Sequence, residues 1–343
     1  MMRTRSGKLG ELALIEQIRR TFSPPAAANR GSVALGIGDD CAILRPPRGS
    51  EILVTTDFSL ENRHFRRDLH PAVSAGHRCL ARGLSDLAAM GAKPMAAFLS
   101  LALPSELLKS AKGRRWTSEF FSGMDSLARQ YDTPLAGGDT SESSGGLILA
   151  DIILIGSAPI GRSLRRSGAC PGNFLYVTGS LGGADAELKA LLHSGRRSRA
   201  KASGDHPHFF PQPRLGVGSA LLRRRLATAA IDLSDGLSTD LTHLCRASQV
   251  RAEIDAAVLP LHPLAAQLPP DEALHAALNG GEDYELLFSA RPGTRVPASI
   301  AGVPITRIGT LHPQTGRRPL ISLCDSDGKM TEVKPAGWEH FNS

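Results

Sequence analysis

Short apolar runs alternate with helix-forming stretches along this chain, and the alternation restarts near residue 159. EILVTTD (51–57) has the length and branching of a strand, whereas HPAVSAGHRCLARGLSDLAAMGAKP (70–94) has helical spacing and stops at Gly91. This alternation predicts an α/β or α+β architecture of layered sheets and helices. Because 343 residues exceed the usual size of one hydrophobic core, we expect two domains, residues 1–158 and 159–343.

The composition is typical of a water-soluble globular protein. Hydrophobic residues make up 41% of the chain and charged residues 21%, and no run approaches the roughly twenty apolar residues that a membrane-spanning helix needs. Near the N-terminus, Glu11, Glu16 and Gln17 interrupt what would be the apolar core of a signal peptide. We therefore expect a cytoplasmic protein with no membrane association.

The cysteines and the basic residues suggest neither a metal-thiolate site nor a nucleic-acid interface. Five cysteines are scattered singly, without a C-x-x-C motif, which argues against a disulfide framework and a zinc site. The net charge is +7, but the arginines concentrate in residues 193–206 and 223–225 without interleaved aromatic residues. We interpret residues 193–206 as a solvated basic loop and expect no nucleic-acid partner.

Aspartates repeatedly follow the apolar runs. Any one of them could belong to a turn or a helix cap, but the set indicates a shared site. Carboxylates without histidine or cysteine partners favour hard cations, and magnesium binds few protein carboxylates together with waters and substrate phosphates. The pattern therefore predicts Mg²⁺ and a phosphate-bearing substrate. The aspartates concerned are Asp39, Asp40, Asp57, Asp139, Asp232 and Asp235.

Asp86 is a separate case because it lies within a predicted helix, where aspartate has poor helix propensity. One interpretation is an exposed residue on the polar face of that helix. However, Leu84, Leu87, Ala88 and Met90 surround it and leave little polar face. We favour an inward-facing carboxylate that joins the acidic set.

The usual phosphate-binding loops are missing from the sequence. There is no G-x-x-x-x-G-K-[ST] motif, and GIGDDC fails the G-x-G-x-x-G pattern because position 41 is cysteine. The protein would therefore hold phosphate groups mainly through metal ions and arginines.

Nine segments resemble the thiamine-monophosphate kinase family, within the superfamily of aminoimidazole ribonucleotide synthetase and selenophosphate synthetase. They run in family order from residue 35 to residue 341, and the combination of LSDLAAMGA, AIDLSDG and GGEDYEL is highly specific. The segments are LGIGDDCAIL, VTTD followed by RHF, LSDLAAMGAKP, LAGGDT, GRSLRRSGACPG, YVTGSLG, AIDLSDGLSTDL, GGEDYEL and GWEHF.

The resemblance implies a two-domain synthetase-like fold of mixed sheets flanked by helices, with dimerisation through the N-terminal domain. It also implies transfer of the γ-phosphoryl group of ATP to thiamine monophosphate, with several Mg²⁺ ions, giving thiamine diphosphate and ADP. Direct in-line transfer needs no general base, since the second pKa of a phosphate monoester is about 6 and the acceptor is already anionic at neutral pH.

The family motifs assign roles to individual positions of this sequence. Metal-site roles fall on Asp40, Thr55, Thr56, Asp57, Asp86, Asp139, Asp232 and Asp235, and Asp39 either binds metal or orients its neighbour. ATP contacts fall on Arg166 and Ser234, and contacts to thiamine monophosphate on His64, Glu282 and Trp338.

Several of these positions keep an alternative interpretation. His64 could be a surface residue of a basic loop, Glu282 a turn carboxylate, and Trp338 a packing anchor for the C-terminal segment. Arg162 and Arg165 compete with Arg166 for the ATP role. After Asp57 the chain also departs from the family pattern, reading FSLENRHF, which affects the expected shape of the substrate pocket.

Two other functions would share some of these features. A sister enzyme of the superfamily would keep the magnesium and ATP residues but act on a different acceptor. A non-catalytic protein that binds nucleic acid or other anions would rely on the basic loop. Such binding would weaken steeply with salt and survive chelation of magnesium, unlike metal-dependent turnover.

Overall fold

The computed structural model describes residues 10–22, 32–316 and 318–337. They form two compact units. The N-terminal unit comprises the residues up to Gly83, Pro94–Ser157 and Arg196–Ser203, and the C-terminal unit comprises Leu84–Lys93, Ala158–Gly195 and the residues from Gly204 onward. The division of the chain into domains at residues 158 and 159 stays a prediction.

The first half of the chain forms four helices and six strands in its described part. The helices are α1 (Glu11–Phe22), α2 (Ala72–Ala89), α3 (Ser105–Lys109) and α4 (Ala111–Gln130). The strands are β1 (Val33–Leu35), β2 (Ile43–Leu44), β3 (Ser50–Leu60), β4 (Lys93–Leu103), β5 (Leu135–Glu142) and β6 (Leu149–Pro159).

Four of these strands form a sheet in the order β3-β6-β4-β5. β4 and β5 run parallel, with Ala97 opposite Leu135 at the start of the ladder. β1 and β2 form a separate antiparallel ribbon, in which Val33 pairs with Leu44. The glycine- and aspartate-containing residues 36–42 connect the two strands of that ribbon.

Close contact between α2 and α4 depends on two glycines. A Cβ atom on Gly76 would lie 1.8 Å from the carbonyl oxygen of Phe120, and one on Gly123 would lie 1.9 Å from that of Val73. Any larger residue would therefore push the two backbones apart. Next to this contact, Trp116 stacks between Phe65 and Phe120, and buried aromatic area of this kind contributes strongly to core stability.

The second half of the chain forms four α-helices, two short 3₁₀ turns and eight strands in its described part. The helices are α5 (Gly183–Ser194), α6 (Leu215–Arg223), α7 (Leu237–Ser248) and α8 (Pro270–Asn279), and the 3₁₀ turns are Ala256–Val258 and Ala265–Gln267. The strands are β7 (Phe174–Thr178), β8 (Ala229–Asp232), β9 (Val250–Asp255), β10 (Leu286–Ala290), β11 (Ser299–Ile300), β12 (Val303–Pro313), β13 (Ile321–Cys324) and β14 (Met330–Glu332).

These eight strands form one mixed sheet in the order β14-β13-β9-β12-β7-β10-β8, with β11 paired to β12. β13 runs parallel to β9, whereas β7 and β8 are both antiparallel to β10. Leu241 and Leu244 of α7 and Leu278 of α8 lie in a single core with Val177 and Ile231 of the sheet. Both large sheets therefore include a parallel pair, and the predicted class of mixed sheets with helices is confirmed.

No helix among the described residues is long and apolar enough to cross a membrane.

Candidate active site

Three of the predicted carboxylates line one cavity of the N-terminal unit. Asp39 and Asp40 lie in the connection after β1, Asp139 lies on β5, and the cavity between them has a volume of about 600 Å³. All three are exposed. Asp40 N–H donates to Asp39 Oδ1 over 2.9 Å, and Thr140 N–H donates to Asp139 Oδ1 over the same distance. Local backbone amides thus orient Asp39 and Asp139.

Gly138 positions Asp139. Its φ of +147° lies in a region that L-residues rarely adopt. A Cβ atom at this position would lie 2.0 Å from the carbonyl oxygen of Leu99 on the neighbouring strand. The glycine therefore lets β5 approach β4 closely, immediately before the chain reaches the predicted metal residue.

The VTTD segment lies on β3. Thr55 and Asp57 are half-buried and Thr56 is exposed, as expected from the alternation of side chains along a strand. Asp57 Oδ1 accepts a hydrogen bond from Arg82 Nη2 of α2 over 3.4 Å. Because Thr56 faces the opposite side of the strand from the other two, the three side chains alone cannot share one ion.

His64 lies in the turn that follows β3. Its Nδ1 atom accepts a hydrogen bond from Leu60 N–H over 3.0 Å, and its carbonyl oxygen accepts one from Arg78 Nη2 over 2.9 Å. Since Nδ1 is an acceptor, the neutral ring carries its proton on Nε2. These contacts fix the orientation of the imidazole ring relative to α2.

Asp86 lies in the last part of α2, as predicted, and is half-buried. The residues on either side of it, Leu84, Ser85, Leu87 and Ala88, are almost completely buried. The helix therefore has little polar face at this point. Ser85, which precedes Asp86 in the helix, donates a hydrogen bond from Oγ to Asp232 Oδ2 over 2.8 Å.

A second acidic cluster lies in the C-terminal unit, where β8 leads into α7. Asp232 ends the strand and Asp235 lies in the connecting turn. Asp240 of α7 accepts the backbone N–H of Asp235 on its Oδ2 over 3.1 Å. Burial raises the pKa of Asp240 well above its usual value, and the charges of Asp232 and Asp235 raise it further.

Arg166 and Ser234 flank this cluster within the same unit. The Arg166 side chain is exposed, and its positive charge lowers the pKa of Asp240, as does the hydrogen bond from the Asp235 amide. The Ser234 carbonyl oxygen accepts the backbone N–H of Glu282 over 2.8 Å. A predicted ATP contact and a predicted substrate contact are thus joined by the backbone.

Glu282 occupies a constrained position in that loop. Its φ is +68°, which is uncommon for a residue with a side chain. Gly281 beside it lies so close to the Ser234 carbonyl oxygen that a Cβ atom would be 2.8 Å away. One carboxylate oxygen of Glu282 lies 3.4 Å from Nδ1 of the buried His208. The loop therefore holds Glu282 in a defined direction.

Three acidic residues near this site are absent from the predicted set: Asp240, Asp283 and Glu285. Asp283 accepts the N–H groups of Gly182 and Ala184 at the start of α5, over 2.7 and 3.2 Å. Burial raises the pKa of Asp283 to about 7. The signal for Asp283 and Glu285 is the sequence GGEDYEL itself, which places three carboxylates directly before a strand that is buried throughout.

Glu285 forms the most extensive of these buried contacts. It accepts hydrogen bonds from Arg214 on both carboxylate oxygens, and Thr178 Oγ1 donates to the same group. Glu285 is 3% exposed, so this pairing with a guanidinium group compensates the cost of burying its charge.

The predicted substrate contact Trp338 lies outside the described residues. Among the described residues, no three histidine, cysteine, aspartate or glutamate side chains are grouped closely enough to hold a metal ion by themselves.

The donor chemistry of both acidic clusters nevertheless fits magnesium. Each cluster offers carboxylate oxygens, and Asp232 and Asp240 bring two carboxylates into one buried region. Magnesium usually keeps several waters and binds only one or two protein carboxylates together with substrate phosphates, so a prearranged group of three is not required.

Comparison with known proteins gives the family. The model of the AIR synthase related protein N-terminal domain matches residues 38–158, and that of its C-terminal domain matches residues 170–311. The chain is 38% identical to the thiamine-monophosphate kinase of Escherichia coli K12 over 341 residues, covering 97% of this chain and 98% of that protein.

Two solved structures extend this likeness to the fold. The thiamine-monophosphate kinase from Stenotrophomonas maltophilia K279a is 35% identical, with a TM-score of 0.78 over 94% of this chain and 98% of that one. The structure of AaThiL complexed with AMPPCP and TMP is 28% identical, with a TM-score of 0.72 over 99% of both chains. The family resemblance found in the sequence is confirmed, as is the synthetase type of the fold, and the chain belongs to the thiamine-monophosphate kinase family.

Proposed function

We propose that this protein is a kinase that transfers the γ-phosphoryl group of ATP to thiamine monophosphate, forming thiamine diphosphate and ADP. The observation that carries the proposal is the likeness over nearly the whole chain to thiamine-monophosphate kinases, one of them solved with AMPPCP and TMP. The hydrogen bond between Ser234 and Glu282 adds support, since it joins an ATP-contact candidate to a substrate-contact candidate beside the acidic cluster.

The two acidic clusters are proposed to hold several Mg²⁺ ions. In the C-terminal unit, Asp232 and Asp235 are the candidate ligands, with Asp86 as a further carboxylate. In the N-terminal unit, Asp40, Asp57 and Asp139 are the candidates, with oxygens of Thr55 and Thr56. Asp39 is better suited to orient Asp40, whose backbone amide it accepts. When bound, magnesium neutralises the phosphate oxygens between which the phosphoryl group moves.

The chemical step proposed is direct in-line displacement. An oxygen of the thiamine monophosphate phosphate group attacks the γ-phosphorus, the bond from that phosphorus to the β–γ bridging oxygen breaks, and its electron pair leaves with ADP. The acceptor oxygen is already ionised at neutral pH, because the second pKa of a phosphate monoester is about 6. No side chain has to remove a proton. Arg166 supplies positive charge for ATP.

The substrate contacts are proposed from charge and orientation. The Glu282 carboxylate complements the cationic ring of thiamine, and the constrained loop with His208 nearby directs it. His64 can donate from Nε2, because its Nδ1 already accepts the Leu60 amide. Trp338 is proposed to contact the same substrate.

We also propose that the protein is a homodimer joined through its N-terminal domain, residues 1–158. β3 is an edge strand of the four-stranded sheet, and its apolar residues Ile52, Val54 and Phe58 are 45%, 61% and 59% exposed. An open edge with alternating exposed apolar side chains is suited to pairing with a second copy. We place the protein in the cytoplasm, where ATP is available, and residues 159–343 form the second domain.

The test is the release of ADP by the purified protein with ATP and magnesium, comparing thiamine monophosphate, thiamine and no acceptor. Release that requires the monophosphate, yields thiamine diphosphate and stops when magnesium is chelated would support the proposal. ATP turnover without that requirement would instead favour a sister enzyme of the superfamily with another acceptor.

A further inference from the structure

We propose that Ser85 is a positioning residue for Asp232, and that its hydroxyl group fixes the carboxylate for binding magnesium. The inference rests on the proposed function, since that function assigns magnesium to Asp232. Ser85 belongs to α2 and Asp232 to the end of β8, and the two are 147 positions apart in the sequence.

The hydrogen bond between them is short and shielded from water. Ser85 Oγ lies 2.8 Å from Asp232 Oδ2, and the two residues are 0% and 4% exposed. An O–H group that donates to a carboxylate forms a charge-assisted hydrogen bond, which is stronger than one between neutral groups. Burial strengthens this hydrogen bond further, because water does not compete for either partner.

The direction in which Ser85 donates is unusual for a serine within a helix. Such a hydroxyl group commonly bonds to a carbonyl oxygen of the preceding turn. Ser85 has a single proton to donate, and it goes to a carboxylate of another element. The hydrogen bond restricts rotation of that carboxylate and so determines where its second oxygen points.

Asp232 needs such a restraint because it lies among like charges. The charges of both Asp232 and Asp235 act on the buried carboxyl group of Asp240. Without a bound cation, repulsion would turn these side chains away from one another. A fixed donor on Oδ2 keeps Asp232 oriented before the ion arrives. Partners that orient metal ligands in this way commonly affect metal affinity by about 10- to 100-fold.

The position of Ser85 in the chain strengthens the inference. The next residue, Asp86, is itself a proposed magnesium ligand, so one dipeptide supplies both a ligand and the group that orients another ligand. Successive residues of a helix point about 100° apart, which agrees with the complete burial of Ser85 and the half-buried state of Asp86.

The test compares S85A, S85C and a control, S74A. Cysteine is close to serine in size but is a weak donor. Ser74 lies on the same helix and is also 0% exposed, so S74A matches the removal of a buried hydroxyl group from α2. Metal binding is measured by calorimetric titration with Mg²⁺ and by electron paramagnetic resonance with Mn²⁺, in the presence of a non-hydrolysable ATP analogue. The thermal midpoint of each variant is measured as well.

We expect S85A to raise the dissociation constant for the metal by about tenfold and S85C to raise it less, with S74A unchanged. In turnover assays, S85A should raise the magnesium concentration needed for half-maximal activity much more than it lowers kcat at saturating magnesium. Wild-type metal affinity in S85A, or an equal loss in S74A, would overturn the inference. A wild-type protein that turns over without a divalent cation would instead overturn the proposed function.

Discussion

The acidic residues near the candidate site differ between the two units in their burial and in the groups that they bond to. In the N-terminal unit, Asp39, Asp40 and Asp139 are exposed around a cavity, and Asp39 and Asp139 accept hydrogen bonds from adjacent backbone amides. In the C-terminal unit, Asp232 and Glu285 are buried and Asp283 is half-buried, and each of the three bonds to a specific partner within the protein. Asp232 accepts a hydrogen bond from the Ser85 hydroxyl group, and Asp283 accepts one from a backbone amide at the start of α5. Glu285 accepts hydrogen bonds from the Arg214 guanidinium group.

This difference shows where the two units can tolerate change. An exposed carboxylate costs little to ionise and can be removed without leaving a buried charge unpaired. A buried carboxylate has to be compensated within the structure, so the loss of either partner disturbs the fold or the site. The C-terminal acids should therefore respond more strongly to substitution, whether the readout is activity or stability.

The largest expected effect is on Asp86 of the C-terminal unit, a half-buried carboxylate that is proposed to bind magnesium directly. D86N keeps the shape of the side chain and removes the charge proposed to hold magnesium, and turnover should be lost while the fold persists. Steady-state assays with thiamine monophosphate and a thermal unfolding curve check this. Near-normal activity would mean that Asp86 is a structural residue.

The second-largest effect is expected on kcat, in a comparison of one acid from each unit. D232N should lower kcat by about a thousandfold, because a metal ion that neutralises transition-state charge is worth several kcal/mol. D39N should lower it by about tenfold, since Asp39 is exposed and is proposed to orient Asp40. Both rates are measured at saturating magnesium. Equal losses in the two variants would contradict the comparison between buried and exposed acids.

A stability effect is expected for the partner of Glu285. R214A should lower the free energy of unfolding by about 3 kcal/mol, because it leaves a buried carboxylate without its cation. The control is R115A, which breaks an exposed ion pair with Glu119 on α4 and should cost little. Denaturant unfolding measures both. If R214A cost no more than R115A, the buried pair would not stabilise the fold.

The smallest effect expected is a pH dependence from Asp283, whose pKa is raised from 3.8 to about 7 in the folded protein. The folded state binds this proton more tightly than the unfolded state, so the stabilisation is complete below about pH 4 and is lost as the pH rises through about 7. The stability advantage of the wild type over D283N should therefore shrink between pH 5 and pH 8, measured by denaturant unfolding at each pH.

The exposed helix residue Asp271 provides the matched control for that measurement, because D271N removes a carboxylate from the first turn of α8. D271N measures the effect of removing one exposed carboxylate over the same pH range. A difference for D283N that does not change with pH would mean that Asp283 is ionised in the folded protein.

The sequence predicted the layered fold and the segments that carry the candidate site, because apolar spacing and clustered acids are local features. It did not indicate the two short strands β1 and β2, since their pairing depends on the reversal of the chain at residues 36–42. It also missed Asp240, whose position near the start of α7 is ordinary for a helix acid.

The remaining contacts depend on residues that are far apart in the chain. Arg214 and Glu285 are separated by 71 positions, and Ser85 and Asp232 by 147. Apolar spacing and local motifs cannot indicate which distant residues will become partners. The path of α2 brings Ser85 to Asp232 at the end of β8, whereas Arg214 reaches Glu285 from the position directly before α6.

The glycines of VTGSLGG make room for carboxylates. A Cβ atom on Gly179 would lie 1.9 Å from a carboxylate oxygen of Glu285, and the amide of Gly182 donates to Asp283. The start of a helix after a glycine-rich turn can bind a phosphate group through its backbone amides. Here the amides of Gly182 and Ala184 at the start of α5 already donate to Asp283, so a phosphate group could reach them only by displacing that carboxylate.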